Sequence, residues 1–246
     1  MNRWFLRGLR TGIVTTRFPS GIDAMPAGWR GRAVCQEGAD AQSIARAAAV
    51  CLSGAIEERS GAVDVDRCFQ CGECARITPR AFAMSAEFNL AHFSADPTEE
   101  RARLRERVRS LGKSIMIRHI DVGSDCSEDQ EMQALFNPYY DVTRLGIFLT
   151  ASPRHADLLA VTGAVTGAMA EPLRRTYDAM PEPKVVVAVG TSAASGGIFA
   201  GSPGIIGAVE RVIPVDIAIP GSPPPPLAII AGLWLALGRI PPVACR

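Results

Sequence analysis

Three cysteines at two-residue spacing, Cys68-Phe-Gln-Cys71-Gly-Glu-Cys74, constrain this chain more than any other feature. The seven cysteines stand at 35, 51, 68, 71, 74, 126 and 245. An odd number with three in one tight run is a poor disulfide framework and a good metal-site pattern. A cubane iron–sulfur cluster needs four thiolates, and this spacing lets a tight loop aim three of them at adjacent irons. The fourth must come from elsewhere in the chain. A zinc site with three or four thiolates is the competing reading, although zinc motifs more often use two paired CxxC knuckles.

Composition narrows what can surround such a loop. With 48% apolar and 21% charged residues in 246, the chain is neither disordered throughout nor fibrous. A net charge of +1 gives no reason to expect nucleic acid as a partner. No charge-free run of about 18 residues reads as a transmembrane segment, since the run from Pro223 to Gly238 is short and proline-laden. The apolar stretch near Met1 is too brief for a secretory signal. The expectation is a soluble, cytoplasmic protein.

Charge and texture divide the chain. Residues 1–34 carry six Arg against one acid, Asp23, interleaved with Trp4, Phe5, Leu6, Phe18 and Trp29. Disordered tails are poor in such aromatics, so this reads as a basic arm that docks on a partner. Residues 35–95 hold the cysteine loop, a helix over Ala41–Cys51 and short strands at Ala62–Val65 and Ala81–Met84. In 96–113 the charged run EERARLRERVRS surrounds a thin stripe of Ala102, Leu104, Val108 and Leu111, the pattern of a solvated linking helix. From residue 114, apolar runs predict strands at Ser114–Ile120, Gly146–Thr150, Leu158–Val161, Lys184–Val189 and Val215–Ile219. Helices are predicted at Glu128–Phe136, Ala168–Ala179 and Leu227–Leu237, the last packing on the sheet or serving an interface. This alternation predicts an α/β domain with a parallel sheet covered on both faces and ligands at the strands' carboxyl ends. His92, His119 and His155 are far apart, and GTSAASGG lacks the Walker lysine, so no catalytic constellation stands out.

The cysteine loop is similar to that of bacterial ferredoxins. Cys51 opens CLSGAI, which resembles the CPxGAI turn of that fold with Leu52 in place of proline. The resemblance implies a small ferredoxin-like α+β domain with one [4Fe-4S] cluster on Cys51, Cys68, Cys71 and Cys74. A second cluster would need a cysteine at Thr78, before Pro79, and it is absent. Cys35 reads as an ordinary thiol or a remnant of a lost motif, and Cys245 as an ordinary thiol.

Residues from Ser114 to about Gly238 resemble the small cluster-carrying subunit shared by complex I (its 20 kDa subunit) and membrane-bound group 4 [NiFe] hydrogenases, including formate hydrogenlyase. SPRHADLLAVTG, RRTYDAMPEPK and PVDIAIPG carry the resemblance, and NPYYD is closer to the hydrogenase branch. It implies a flavodoxin-like domain packed against a hydrogenase or complex I-like large subunit, peripheral to the inner membrane through partner subunits. It also exposes departures. Where the family writes GSCNxCE, GDCA and PGCPP, this chain has Asp125 and Glu128, then Ser192, then Ser222. All four thiolates of the family's own cluster are missing, and Cys126 stands one residue from a ligand position. These side chains read as polar, hydrogen-bonded cavity fillers, with a divalent-metal pocket on Asp125 and Glu128 as the alternative. Arg154 and His155 become interface candidates, and Asp157 a cap or a partner of Arg154. The resemblance implies an electron-transfer subunit whose remaining cluster lies at the far end from the large subunit; the alternative is a non-redox scaffold. It names neither the electron donor nor the acceptor.

Overall fold

Leu158–Thr162 and Val185–Val189 contain no exposed residue, and that explains the architecture. A strand buried on both faces must lie inside a sheet covered by helices on both sides. The computed structural model describes residues 3–12, 14–19, 21, 28–94, 106, 108 and 114–238. Five parallel strands form the main sheet: β4 (Ile115–Asp121), β5 (Ile147–Leu149), β6 (Leu158–Thr162), β8 (Val185–Val189) and β10 (Ile217–Ile219). Their order is β5-β4-β6-β8-β10. The first strand in sequence lies between the second and third, which is the flavodoxin order.

Alternate residues feed two cores. Leu158, Ala160, Val185 and Val187 face one layer, which holds α4 (Ser127–Ala134) and α7 (Pro226–Ala236). Leu159, Val161, Val186 and Ala188 face the other, with α5 (Ala170–Asp178) and Ala193 of the short helix α6 (Thr191–Ser195). Ten of the eleven residues of α7 are buried, so the apolar run near the carboxyl terminus packs on the sheet instead of serving an interface. Cutting Leu233 back to Ala there is expected to cost about 2–5 kcal/mol. A two-stranded sheet of β7 (Val165–Thr166) and β9 (Ile205–Gly207), which the sequence did not suggest, lies beside the main one.

The cysteine-bearing part is a separate small layer. β1 (Ala33–Cys35) pairs antiparallel with β2 (Phe82–Met84). Helix α2 (Ala41–Val50) starts where Asp40 caps the Ser43 N–H at 2.8 Å, a cap of the usual carboxylate kind. Helix α3 (Glu73–Ile77) carries Cys74. Ile44, Ala47, Ala55, Ile56, Cys68, Cys74 and Phe82 form its core.

Several expectations need correction. Ala62–Val65 is not a strand; Val63 makes a single bridge to Ile56. β3 (His92–Phe93), read as part of the small domain, pairs antiparallel with β10 and forms the edge of the large sheet. Residues 1–34 are not one arm. Ala33 belongs to β1, and the Thr16–Phe18 segment is fastened to the second domain. There Thr16 donates to the Tyr139 carbonyl at 2.7 Å, and Arg144 donates to the carbonyls of Thr16 and Phe18. The buried Phe18 ring packs edge-on against Phe88. Of the linking helix over 96–113, only Glu106 and Val108 lie within the described residues, both helical and Val108 buried. Cys245 lies outside them.

Candidate iron–sulfur centre

Each of the four cysteines has its carbonyl tied away from its thiol. Cys51 ends α2, with its N–H on the Ala48 carbonyl and its own carbonyl accepting from Gly54 at 3.0 Å. The CLSGAI turn then brings the Ala55 N–H to Cys51 Sγ at 3.3 Å. Along the second segment, Gln70 and Gly72 take left-handed backbone angles (φ 56° and 78°), which curl the chain between Cys68 and Cys74. Gly72 is required twice over, since a Cβ would also stand 3.0 Å from Arg30 Nη1. Arg30 Nη1 donates to the Cys71 carbonyl at 2.7 Å, and Thr191 Oγ1 donates to the Cys68 carbonyl at 3.3 Å. The Cys74 carbonyl accepts from both the N–H and the hydroxyl of Thr78, each at 2.8 Å.

Cys51, Cys68, Cys71 and Cys74 together line one cavity of about 180 Å³. Its other walls are mainly apolar, among them Ala33, Ile56, Val63, Phe69, Met84 and Ile198. Burial pushes the Cys74 thiol up to about 11 and raises that of Cys68 as well, with the neighbouring cysteines adding to the rise. Among the described residues, no three His, Cys, Asp or Glu side chains converge closely enough to hold a single ion. A set of four soft sulfur donors around a cavity with mainly apolar walls fits an iron–sulfur cluster.

The loop rests on the second domain. Ile198, which follows α6, forms part of the cavity wall. A Cβ at Gly197 would stand 3.0 Å from the Phe69 ring and 3.4 Å from Ser192 Oγ. Ser222 and Pro223 share a further pocket with Phe69, Gln70 and Cys71. The cysteine loop therefore sits against the segments that carry Ser192 and Ser222.

The four substituted positions differ among themselves. Asp125 is exposed and caps Ser127 through its backbone N–H (3.0 Å) and hydroxyl. Glu128 is 1% exposed, and its carboxyl lies against Gly190, where a Cβ would fall 2.7 Å from Oε1. Its Oε2 is 3.2 Å from Ser127 Oγ, while Oε1 is buried without a hydrogen-bond partner among the described residues. Burial raises its pKa, and the charges of Asp125 and Asp129 add to the shift. Ser192 is buried in α6, and Ser222 is half-buried. Glu128 is thus a buried polar side chain with one of its two carboxylate oxygens hydrogen-bonded.

Arg154 and His155 lie exposed in the 3-10 turn Pro153–His155, and neither lines the cysteine cavity. Asp157 serves as a cap: its Oδ2 accepts the Met116 N–H at 2.8 Å. At the switch point between β4 and β6, His119 Nε2 lies 3.0 Å from Thr162 Oγ1 and 3.1 Å from Asp129 Oδ1. Thr162 and Ser124 also donate to Asp129, so a polar network fills the crevice where such sheets hold ligands.

The comparisons with known proteins agree with both halves. The family described as the 4Fe-4S single cluster domain of Ferredoxin I matches residues 63–110, which include Cys68, Cys71 and Cys74 but not Cys51. The NADH ubiquinone oxidoreductase 20 Kd subunit family matches residues 126–236. The probable membrane-bound hydrogenase subunit mbhJ of Pyrococcus furiosus is 41% identical over 145 residues, 57% of this chain and 87% of that protein. This chain belongs to the 20 Kd subunit family. Within that family, Formate hydrogenlyase subunit 7 of Escherichia coli is 38% identical over 54% of this chain and 52% of its own length. A chain in the structure of the membrane-bound sulfane sulfur reductase (MBS), an archaeal respiratory membrane complex, is 32% identical, with a TM-score of 0.46 over 58% of this chain and 75% of that one. No helix among the described residues is long and apolar enough to cross a membrane.

Proposed function

We propose that this member of the 20 Kd subunit family is an electron-transfer subunit of a membrane-associated oxidoreductase, with one [4Fe-4S] cluster held by Cys51, Cys68, Cys71 and Cys74. The observation that carries this reading is that all four cysteines line one mainly apolar cavity. The cluster would supply one-electron redox chemistry there. The chain's own residues prepare the place. The four hydrogen-bonded carbonyls fix the loop, and the apolar walls bury Cys68 and Cys74. The Ala55 N–H directed at Cys51 Sγ is the kind of hydrogen bond that tunes a cluster's potential.

Access is on one side. Cys71 is exposed, and beside the cavity stand Leu52, 93% exposed, and Ile198, 49% exposed. An apolar rim of this kind suits a protein partner that docks for electron transfer, and a hydrogenase or complex I-like large subunit is the partner we assign to it. Arg154 and His155 form a second exposed point for such an assembly.

The scaffold alternative draws on a specific observation. Asp125, Glu128, Ser192 and Ser222 offer oxygens where the family's second set of thiolates stood, so the flavodoxin-like domain has no cubane donor set of its own. Metal content decides the first point. Protein purified anaerobically should bind about four irons with matching sulfide per chain, and Cys71→Ser should lose most of them. Zinc in place of iron, or roughly twice that iron, would overturn the assignment.

A further inference from the structure

Helix α1 (Arg3–Thr11) is the one α-helix among the described residues with no buried residue. Trp4, Leu9, Phe5 and Leu6 are 72%, 68%, 47% and 45% exposed. At about 100° of rotation per residue, Arg3, Arg7 and Arg10 fall within one narrow sector of the helix. Phe5 and Leu9 fall on the opposite side, and Trp4 and Leu6 lie at the two borders between them. A helix of nine residues is marginal in water by itself. Its segregated faces call for an outside surface that is both apolar and anionic.

Charge and attachment point the same way. Before Asp23 the sequence has Arg3, Arg7, Arg10 and Arg17 and no acid. Just behind α1 the chain is fastened to the second domain, through Thr16 on the Tyr139 carbonyl and Arg144 on the carbonyls of Thr16 and Phe18. The apolar exposure continues at that root, with Val14 56% and Tyr139 46% exposed.

We propose that α1 is an interfacial membrane helix that seats directly on anionic phospholipid. Its three arginines meet headgroup phosphates, while Trp4, Phe5, Leu6 and Leu9 sink into the headgroup–acyl boundary. At about 1.5 Å per residue it is far too short to span a bilayer, so it lies in the surface. A lipid surface fits better than a protein groove because the apolar side chains cover more than half the circumference. A fluid boundary accepts so wide an arc, and Trp at its edge suits the interface. One short helix binds reversibly, and partner subunits supply the second attachment.

Flotation of the full-length protein with lipid vesicles tests this. With phosphatidylglycerol-containing vesicles the protein should float severalfold more than with pure phosphatidylcholine, and added salt should weaken the binding. Leu6→Glu with Leu9→Glu should abolish flotation at any salt. Arg3→Gln, Arg7→Gln and Arg10→Gln together should remove the preference for anionic lipid. Both variants should keep the iron content and melting temperature of the parent, because α1 touches no core. Wild-type protein that floats with neither vesicle, or floats unchanged after the leucine substitutions, overturns the proposal. So does a leucine variant that floats normally but dissociates from its partner subunits, since that would make α1 a protein-binding element.

Discussion

The Thr191 hydroxyl donates to the Cys68 carbonyl at 3.3 Å and accepts the Gly221 N–H at 3.2 Å. One buried side chain thus joins the cysteine loop, the start of α6 and the turn after β10. The cysteine loop and the large sheet's loops are fastened together at this point.

Replacing Thr191 with Val keeps the volume and removes both bonds. The cost should be about 1–3 kcal/mol, read as a lower melting temperature, because the Gly221 N–H is left buried without its acceptor. The electron paramagnetic resonance signal and midpoint potential of the cluster should shift, while Thr191→Ser should restore both. An unchanged spectrum in Thr191→Val would mean that this bond does not position the loop.

His92 is a second tie between the modules, and it depends on pH. Its Nδ1 faces the Leu90 carbonyl at 3.1 Å and its Nε2 faces Asp66 at 3.2 Å, shortly before Cys68. Both partners accept, so the doubly protonated ring satisfies both. Burial works against that charge, but the Asp66 hydrogen bond and the Asp66 and Asp64 carboxylates outweigh it and raise the pKa above its ordinary 6.5. A raised folded-state value means that the stabilisation is complete below 6.5 and is lost as pH rises through the folded pKa. His92→Gln should therefore cost on the order of 1 kcal/mol in mildly acidic buffer and little in mildly alkaline buffer. Denaturant titrations at both pH values measure the difference, and a cost independent of pH would contradict it.

Glu128 has its pKa moved in the same direction as His92, but by burial and not by a partner. Burial raises its folded pKa, so stability falls as pH rises from the ordinary carboxylate range through that value. Glu128→Gln removes the charge at similar shape and should raise the melting temperature, with a gain on the order of 1 kcal/mol at neutral pH that shrinks in acid. A destabilised Glu128→Gln at neutral pH would show that the carboxylate has a partner or ligand.

Local features of this chain were legible in its sequence, and long-range ones were not. The cysteine spacing is a contact between near neighbours, and continuous apolar runs such as Val185–Val189 announce a doubly covered strand. Arg30 and Thr191 gave no such signal. They reach the cysteine loop across 41 and 123 residues, and an exposed Arg or a hydroxyl on a Gly-rich turn looks the same with or without such a partner. β1 was missed because three residues with one buried side chain have no readable alternation. Phe69 reads as a spacer between two cysteines, and only the fold shows its ring beside Gly197.

In the cluster-free protein, thiol reactivity should follow burial. Only thiolate reacts with iodoacetamide, and Cys74, at about 11, holds little thiolate at neutral pH. Cys71 is exposed, so it should be alkylated first, with Cys68 and Cys74 slow. Peptide mass mapping over time reads the order. Equal rates at all three would mean that the cavity opens when the cluster is absent.

Electron transfer and scaffolding part at the apolar rim. Leu52 and Ile198 border the cysteine cavity and are exposed, so charges there should repel a docking partner without touching a ligand. Leu52→Glu with Ile198→Asp should leave iron content and spectrum unchanged and slow oxidation of the reduced cluster by the partner complex. Cys71→Ser should abolish the cluster and, in a conducting subunit, the turnover that depends on it. The Phe69 ring lies close to Gly197, so a cluster on the four cysteines would already sit beside α6. A complex that assembles and turns over at full rate with Cys71→Ser would leave the subunit only its scaffold role. A complex that assembles normally but loses turnover in both variants would make this cluster the route for electrons.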